Sequence, residues 1–222
     1  MLSQTIAFFD VDETIIQDKS MFSFLFEFYK LNFEDDHLER YTSKIEEVKT
    51  LFQKGVKRDV INELYYQSYA GEDYFNLFEL GKYWFEKMSR NEGFFIKPVI
   101  EALNQHLEKG HKVVLVSGSF RPCLEPIANY LGVDDILCTE LETLDGKVTG
   151  QLKLRSIGQY KKDRVKKFLS QFEDYDLASY AYGDHISDLD FMEICQNPVA
   201  VEGCDSLMKV ARKKHWKVIE VH

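Results

Sequence analysis

The chain has 222 residues, of which 45% are hydrophobic and 29% charged, a composition that suits one large domain or one domain with a sizeable insertion. It carries 28 Lys and Arg against 37 Asp and Glu, a formal net charge of −9, which argues against a main role in binding the phosphate backbone of nucleic acid. No apolar run reaches the roughly 20 residues that a membrane-spanning helix needs. The sequence therefore predicts a soluble protein with no nucleic-acid or membrane partner.

The N-terminus and the cysteines indicate the compartment. The first nine residues lack the charged, apolar and small-residue segments of an export signal. The cysteines, with no Cys-x-x-Cys pair and no histidine at zinc-ligand spacing, are Cys123, Cys138, Cys195 and Cys204. We expect reduced structural thiols and a cytoplasmic location. The composition gives no indication of the oligomeric state.

The first part of the chain predicts one strand followed by helices. The apolar run Thr5–Phe9 favours a buried strand, and apolar residues then recur at helical spacing from Ser20 to Phe95. This stretch holds 19 of the 31 aromatic residues, so it differs in composition from the rest. We predict a helical insertion at residues 17–95 in a core formed by residues 1–16 and 96–222. We expect most of a set of aromatic residues to pack inside the helical bundle and a minority to lie near the mouth of the site; the set is Phe22, Phe26, Tyr29, Phe52, Tyr65, Phe75, Phe78 and Trp84.

Helices and strands alternate in the remainder of the chain. The predicted helices are Val99–Glu108, Pro122–Tyr130, Gln159–Phe172 and Asp188–Ile194. The predicted strands are Lys112–Val116, Ile136–Thr139, Ser179–Tyr182, Pro198–Val201 and Trp216–Glu220, with a hairpin at Thr143–Val148 that turns at Asp145 and Gly146. Such alternation predicts an α/β fold, a Rossmann-like parallel sheet covered by helices on both faces.

Acidic residues follow the first predicted strand, and ligands of parallel sheets bind beyond the carboxyl ends of the strands. Asp10 and Asp12 are two residues apart, a spacing that points both carboxylates the same way in an extended chain. Two like charges this close repel each other unless a cation or a shared proton relieves them. The alternative is a solvated acidic loop or a helix cap.

Two further segments follow predicted strands. In Ser117-Gly118-Ser119 the glycine permits close approach of the backbone, and hydroxyl and N–H groups can receive an anion. The segment that begins at Gly183 supplies two more carboxylates, Asp184 and Asp188. Together with Asp10 and Asp12 they form an oxygen-rich set of the kind that Mg²⁺ prefers.

A lysine completes the predicted site. Lys161 lies in the first turn of the helix that follows Gly158, where the helix dipole disfavours a cation, so we expect it to be placed for a ligand. The basic residues after it are expected to form a solvated face; they are Lys162, Arg164, Lys166 and Lys167.

These segments, in this order, resemble the four motifs of haloacid dehalogenase (HAD) superfamily phosphatases. The segments are Asp10-Val11-Asp12-Glu13-Thr14, Val116-Ser117-Gly118-Ser119, Lys161, and Gly183-Asp184 with Asp188. The insertion after the first motif resembles the helical cap domain of the phosphoserine phosphatase-like branch, subfamily IB. The resemblance implies the HAD fold and Mg²⁺-dependent hydrolysis of a small soluble phosphorylated metabolite through an aspartyl-phosphate.

The resemblance also implies a role for each matching residue. Asp10 is then the nucleophile, and Asp12 protonates the leaving oxygen and later activates water. Asp10, the backbone carbonyl of Asp12, and Asp184 bind the metal, with Asp188 beside them. The phosphoryl oxygens are held by Ser117, Gly118 and Lys161.

The chain departs from the phosphoserine phosphatase pattern at Lys19. That position usually carries a glutamate that pairs with the ammonium of the substrate, whereas a lysine attracts a carboxylate or a second phosphate. The alternative is that Lys19 faces solvent. Met21 and Phe22 are the residues expected to line the leaving-group pocket. Ser187 stands where asparagine is frequent, and His185 has no role in the pattern.

Three other functions use the same acidic site. The alternatives to the hydrolase described above are a phosphoserine phosphatase proper, a phosphotransferase that passes the phosphoryl group to another alcohol, and a non-hydrolysing phospho-carrier. The presence of Asp12 argues against the carrier, because hydrolysis of an acyl phosphate needs a base at that position.

Overall fold

A computed structural model of the protein describes residues 3–172 and 176–221. Residues 1–2, 173–175 and 222, which the predicted core range includes, lie outside this part. The strands are β1 (Ser3–Phe9), β2 (Lys112–Phe120), β3 (Asp135–Leu144), β4 (Lys147–Leu154), β5 (Asp176–Gly183), β6 (Asn197–Val201) and β7 (Lys217–Ile219). The helices are α1 (Ser20–Asn32), α2 (His37–Gln53), α3 (Arg58–Tyr66), α4 (Tyr74–Met88), α5 (Lys97–Glu108), α6 (Arg121–Leu131), α7 (Gln159–Leu169), α8 (Leu189–Met192) and α9 (Asp205–Lys213).

The described strands form one seven-stranded sheet in the order β4-β3-β2-β1-β5-β6-β7. All neighbouring pairs are parallel except β3 and β4, which form the antiparallel hairpin. In the central strand β1, Ile6 to Phe9 are fully buried, as expected of a strand with helices on both faces. The predicted α/β fold with a Rossmann-like parallel sheet is confirmed.

The register of the central strands aligns their carboxyl ends. Phe9 of β1 pairs with Leu115 of β2 and with Tyr182 of β5, and the backbone N–H of Asp10 donates to the carbonyl of Tyr182 at 3.0 Å. The carboxyl ends of β1, β2 and β5 therefore lie side by side. The first and fourth motifs follow β1 and β5, whereas the second, predicted to follow its strand, lies within the last residues of β2, beyond Leu115.

The helices α1 to α4, which lie between β1 and α5, pack directly on the rest of the chain. Helix α4 approaches α6 so closely that a Cβ added to Gly81 would lie 1.9 Å from the carbonyl oxygen of Pro122. After α3, the N–H of Gly71 donates to the carbonyl of Val148 at 2.7 Å, and the N–H of Val148 donates to the carbonyl of Glu72 at 2.8 Å. The helical segment is thus joined to both α6 and the β3–β4 hairpin.

The expected aromatic core of the helical segment is partly wrong. Tyr29, Tyr65 and Trp84 are buried as predicted, but Phe52 is 62% exposed and Phe75 is 69% exposed. The predicted residues that are only half-buried are Phe22, Phe26 and Phe78. The apolar side chains of α1 that are fully or almost fully buried are instead Phe24, Leu25 and Phe28.

The alternating aromatic residues of α1 explain this correction. Phenylalanine occupies every second position from Phe22 to Phe28, so two opposite faces of the helix are equally aromatic. Helical periodicity cannot choose between the pair at 22 and 26 and the pair at 24 and 28, because both have the same spacing. Only packing against the sheet and its flanking helices distinguishes them.

Several local features agree with the sequence predictions. The hairpin turns at Asp145 and Gly146, which both have positive φ angles of 51° and 80°, as a two-residue hairpin turn of this sequence requires. Helix α7 ends at Leu169 and continues as a 3₁₀ turn to Phe172. The four cysteines are free, and three of them are buried.

Among the described residues, no helix has the length and apolar character needed to cross a bilayer.

Candidate active site

A cavity of about 470 Å³ lies at the carboxyl edge of the sheet, beneath α1, α2 and α3. Every residue that the sequence singled out for the site lines this cavity. They are Asp10, Asp12, Lys19, Met21, Phe22, Ser117, Gly118, Lys161, Asp184 and Asp188. The predicted motifs therefore meet in one place, and residues as far apart in the chain as Thr14 and Asp184, 170 positions, are in contact.

A tight turn after β1 presents the first motif. The carbonyl of Val11 accepts hydrogen bonds from the N–H groups of Thr14, Ile15 and Ile16 at 3.3, 2.9 and 3.1 Å. Within this turn Glu13 has a positive φ of 60°, a conformation that costs a non-glycine residue conformational energy. The turn reverses the chain immediately, so Asp10 and Asp12 both remain at the edge of the sheet.

Three buried carboxylates form an acidic cluster at this edge. Asp10, Asp184 and Asp188 each offer one oxygen, and these oxygens lie within 4.8 Å of one another. The ammonium of Lys161 donates to Asp10 at 2.6 Å and to Asp188 at 2.7 Å, and the hydroxyl of Thr14 donates to Asp184 at 3.0 Å. A buried set of carboxylate oxygens is the donor set that Mg²⁺ prefers, so these residues fit a divalent cation.

The electrostatics of the cluster also favour a cation. Burial, reinforced by repulsion from Asp188, raises the pKa of Asp10 well above its usual value despite the opposing charge of Lys161. Burial and repulsion from Asp188 likewise raise the pKa of Asp184 to about 7. Burial disfavours the charged form of Lys161, but Asp10 and Asp188 together raise its pKa above the usual value. One ammonium does not balance three buried carboxylates, and a bound divalent ion would allow all three to ionise.

Asp12 occupies a different environment from the cluster. One of its oxygens accepts a hydrogen bond from the backbone N–H of Ser20 at 3.2 Å, and its side chain is not among the three clustered carboxylates. Burial raises the pKa of Asp12 to about 6, while hydrogen bonds from Ser20 oppose the shift. A carboxyl group with a pKa near neutrality can both give and take a proton. The predicted contribution of Asp12 to a metal through its backbone carbonyl stays a prediction.

The irregular end of β2, residues 117–119, here called the Gly118 loop, is fixed by hydrogen bonds from two directions. The N–H of Ser119 donates to Oγ of Ser117 at 3.0 Å. The carbonyl of Gly118 accepts from Tyr66 at 3.0 Å, from Thr139 at 2.9 Å and from Nδ2 of Asn62 at 3.4 Å. Helix α3 thus holds this loop from one side and β3 from the other.

Lys19 lies at the cavity with a partner that the sequence analysis did not consider. Its ammonium is 3.1 Å from the carboxylate of Glu13, and both side chains are about half exposed, at 53% and 46%. An exposed ion pair of this kind is weak. Lys19 lines the cavity, and the carboxylate of Glu13 offsets part of its positive charge.

The sequence analysis missed cavity residues on α2 and α3. Lys49 and Arg58 line the cavity, and the guanidinium of Arg58 donates to Nδ1 of His185 at 3.0 Å and to Oγ of Ser187 at 3.1 Å. Among the described residues neither cation forms an ion pair with a carboxylate. No pattern in the sequence separates them from the other charged residues of a solvated helix.

Asn62 is the second cavity residue that was missed. It lies in the middle of α3, is 4% exposed, and lines the cavity. Asparagine is a poor residue for a helix interior, and its occurrence there was the available signal.

Comparison with known proteins identifies the family. The model of the haloacid dehalogenase-like hydrolases matches residues 7–193, which include all four motifs. The chain belongs to this family. The resemblance to the HAD superfamily is confirmed, and with it the enzyme class, a hydrolase.

Relatives of this HAD-like hydrolase include proteins with similar length. A histidinol-phosphatase of Neisseria meningitidis serogroup C (strain 8013) is 25% identical over 239 residues, which covers 97% of this chain and 98% of that protein. The "Inhibition of morphological differentiation protein" of Streptomyces azureus is 27% identical, over the whole of this chain and 80% of that protein.

Solved structures share the fold of this HAD-like hydrolase. A protein of unknown function from Bordetella pertussis Tohama I superposes with a TM-score of 0.88 at 21% identity, over 99% of this chain and all of that one. A phospho-aspartyl intermediate analogue of phosphoserine phosphatase superposes with a TM-score of 0.64 at 16% identity, over 99% and 94% of the two chains. These similarities extend through the helical segment as well as the sheet.

Proposed function

We propose that the protein is a Mg²⁺-dependent phosphomonoester hydrolase that acts on a small soluble phosphorylated metabolite through an aspartyl-phosphate. The observation that carries the proposal is the contact between Lys161 and Asp10 at 2.6 Å within a three-carboxylate cluster, beside a separate carboxyl group on Asp12. This arrangement supplies a nucleophile, a phosphate-binding cation and an acid-base group in one cavity.

Asp10 is the nucleophile in this proposal. An oxygen of its ionised carboxylate attacks phosphorus, and the bond between phosphorus and the ester oxygen breaks. Lys161 opposes the effect of burial on Asp10, a bound divalent cation would complete its ionisation, and the ammonium attracts the anionic phosphoryl group toward that carboxylate. Ser117, Gly118 and Lys161 hold the phosphoryl oxygens, and the hydrogen bonds from Tyr66 and Thr139 to the Gly118 carbonyl fix the loop in place.

Asp12 moves the protons. Its carboxyl group, with a pKa of about 6, gives a proton to the ester oxygen as the alcohol leaves. The resulting carboxylate then takes a proton from a water molecule, whose oxygen attacks phosphorus and displaces the carboxylate of Asp10 as inorganic phosphate forms. Both Asp10 and Asp12 return to their starting protonation states.

The acidic cluster would hold Mg²⁺. The oxygens of Asp10, Asp184 and Asp188 with the backbone carbonyl of Asp12 are the proposed ligands. When bound, the ion neutralises charge on the phosphoryl group and on the cluster. Thr14 orients the carboxylate of Asp184 by its hydrogen bond at 3.0 Å.

The helical segment, residues 17–95, serves as the cap domain over this site in our proposal. Met21 and Phe22 contribute the apolar wall of the leaving-group pocket, and Lys19, Lys49 and Arg58 place positive charge around it. This charge favours a leaving group with a carboxylate or a second phosphate over one recognised by its ammonium. The cytoplasmic location stays a prediction from the sequence.

Phosphotransfer and phosphoryl storage are the rival functions of the same site. A phosphotransferase would form the same aspartyl-phosphate but would pass it to an alcohol, whereas a carrier would keep it. The environment of Asp12 argues against the carrier, because a carboxyl group with a pKa of about 6 is a competent base for water near neutral pH. The same base would activate an acceptor alcohol, so added alcohols are what distinguishes transfer from hydrolysis.

The test is release of phosphate from p-nitrophenyl phosphate with Mg²⁺ and after chelation with EDTA. We expect Mg²⁺-dependent turnover that Asp10→Asn abolishes. Asp190→Asn is the matched control, since Asp190 is an exposed residue of α8 outside the cavity, and it should retain wild-type activity. Added alcohols that yield new phosphate esters would indicate a transferase. Turnover retained in Asp10→Asn would contradict the assignment of the nucleophile.

A further inference from the structure

Asn62 presents a buried amide to the proposed leaving-group pocket. Four residues of α3 line the cavity at helical spacing, namely Arg58, Ile61, Asn62 and Tyr65, so one face of this helix is turned to the site. Asn62 is only 4% exposed. A buried polar side chain at such a position is unusual unless its donors and acceptors are satisfied.

The two ends of this amide have different surroundings. Nδ2 lies 3.4 Å from the carbonyl oxygen of Gly118 and 3.8 Å from Sδ of Met21. Exchanging the nitrogen and the oxygen would set two carbonyl oxygens against each other, so the hydrogen-bond network fixes the orientation. Oδ1 is a buried oxygen that has no hydrogen-bond partner in the described part of the chain.

The unpaired acceptor belongs to a side chain that lines the cavity. The same amide contacts the carbonyl of Gly118, a proposed phosphate-binding residue, through Nδ2, so the leaving group of a bound ester would lie next to this amide. The neighbouring Met21 is an unbranched, flexible side chain that can adjust when a ligand enters. The nearby side chains of Ile61 and Tyr65 offer Oδ1 no donor; the hydroxyl of Tyr65 donates instead to the carbonyl of Met21 at 2.5 Å.

We propose that Asn62 selects the leaving group, with its Oδ1 accepting a hydrogen bond from a second O–H or N–H group of the alcohol. This inference rests on the proposed phosphatase function and narrows its substrate class. The favoured substrates are phosphate esters of polyols or hydroxy acids, because the cations around the pocket disfavour an ammonium, and esters of simple alkyl alcohols are disfavoured. An ester without such a donor leaves the buried oxygen unpaired in the complex, which is the strongest basis for discrimination by a polar site.

Matched substrates test the proposal. The quantity to measure is the ratio of kcat/KM for 2-hydroxyethyl phosphate, and separately for 2-aminoethyl phosphate, to kcat/KM for ethyl phosphate. We expect the wild type to favour at least one donor-bearing ester by about 10- to 100-fold. Asn62→Asp keeps an acceptor oxygen and should keep a preference, whereas Asn62→Leu should bring the ratio close to one.

Tyr66→Phe is the control for a merely structural effect. It removes a hydrogen bond to the same Gly118 carbonyl but leaves the oxygen of Asn62 in place, so it should lower kcat/KM for all esters together and leave the ratio unchanged. Both Asn62 variants lose the contact of Nδ2 with Gly118. The negative charge that Asn62→Asp adds should lower kcat/KM for 2-hydroxyethyl and ethyl phosphate alike, so the ratio for this pair of esters reports the acceptor.

The outcomes separate this inference from the proposed function. A wild-type ratio close to one, or an Asn62→Leu ratio equal to that of the wild type, overturns the inference while hydrolysis of p-nitrophenyl phosphate upholds the phosphatase. Absence of Mg²⁺-dependent hydrolysis of every ester overturns both. The wild-type ratio needs no variant, so a value close to one overturns the inference even if Asn62→Leu fails to fold.

Discussion

Replacement of Lys161 by methionine removes the positive charge from the centre of the acidic cluster. Lys161 is 5% exposed, and its ammonium lies 2.6 Å from Asp10 and 2.7 Å from Asp188. Methionine retains most of the apolar side chain, so the change is chiefly electrostatic. It leaves three buried carboxylates with no opposite charge in contact.

The expected loss of stability follows from this geometry. Removing one partner of a buried ion pair costs about 3–5 kcal/mol because it leaves an uncompensated buried charge. The carboxylates respond by taking up protons, since their pKa values are raised further when Lys161 is absent. The loss should therefore be near the upper end of this range at about pH 8 and much smaller at about pH 5.

Urea unfolding after EDTA treatment measures this loss at both pH values. Lys166→Met is the matched control, because Lys166 is an exposed residue of the same helix α7 and its replacement should change the free energy of unfolding by less than about 0.5 kcal/mol. We expect saturating Mg²⁺ to recover part of the stability of Lys161→Met. Its turnover should stay at least about 100-fold below wild type, because the phosphoryl group loses a positioned cation.

Equal unfolding free energies for Lys161→Met and Lys166→Met at about pH 8 would refute this reasoning. So would a destabilisation that grows as the pH falls. Either result would mean that the cluster does not depend on Lys161 for its charge balance.

The remaining predictions concern the metal, the junction of the helices with the core, and the pocket. Asp184 has a folded-state pKa of about 7 against an ordinary value of 3.8, so the folded protein binds more protons than the unfolded chain between these values, and the stability of the metal-free protein should fall as the pH rises through them. Calorimetry should accordingly show a larger increase in Tm on adding Mg²⁺ at about pH 8 than at about pH 5, and Asp184→Asn should reduce the increase. Gly81→Ala should destabilise the protein by about 1–3 kcal/mol in urea unfolding, because its Cβ would meet the Pro122 carbonyl and this outweighs a helix-propensity gain of at most about 1 kcal/mol; exposed Asn76→Ala in the same helix should show no such loss. Lys19→Glu should raise kcat/KM for phosphoserine relative to 3-phosphoglycerate, measured by phosphate release, and an unchanged ratio would remove Lys19 from substrate selection.

The sequence was most informative where chemistry follows a strand. Asp10 and Asp184 come directly after β1 and β5, Ser117 lies near the end of β2, and parallel strands bring such positions to one edge. The register of Phe9 with Leu115 and Tyr182 then places them side by side. The lysine at 161 was identifiable because its charge opposes the helix dipole, a local conflict that pointed to a ligand.

The helical segment was less predictable for two physical reasons. The alternating phenylalanines of α1 give two equivalent faces, so burial of Phe24 and Phe28 depends on tertiary packing that periodicity does not contain. Nothing in the sequence separates Arg58 from the charged residues of a solvated surface, and Asn62 in a helix interior indicates an unusual position without indicating its contacts. Their place in the cavity is set by how α3 lies over the Gly118 loop, a long-range contact between positions 52 and 56 residues apart.

The exposed side chains of Phe52 and Phe75 illustrate the same limit of sequence patterns. Phe52 is the second-last residue of α2, a helix in which no described residue is buried. It lines the cavity. Aromatic residues at helical spacing usually pack inward, but an enzyme also needs apolar surface around its substrate.

Trapping of the phosphorylated protein tests the central claim most directly. In Asp12→Asn an aryl phosphate can still phosphorylate Asp10, because a phenolate leaves without a proton donor, whereas hydrolysis of the acyl phosphate lacks its base. Acid quench with labelled p-nitrophenyl phosphate and Mg²⁺, followed by peptide mapping, should locate the label on Asp10 and show none in Asp10→Asn. Label on a different residue, or phosphate release by the wild type with no labelled protein in either form, would contradict the account.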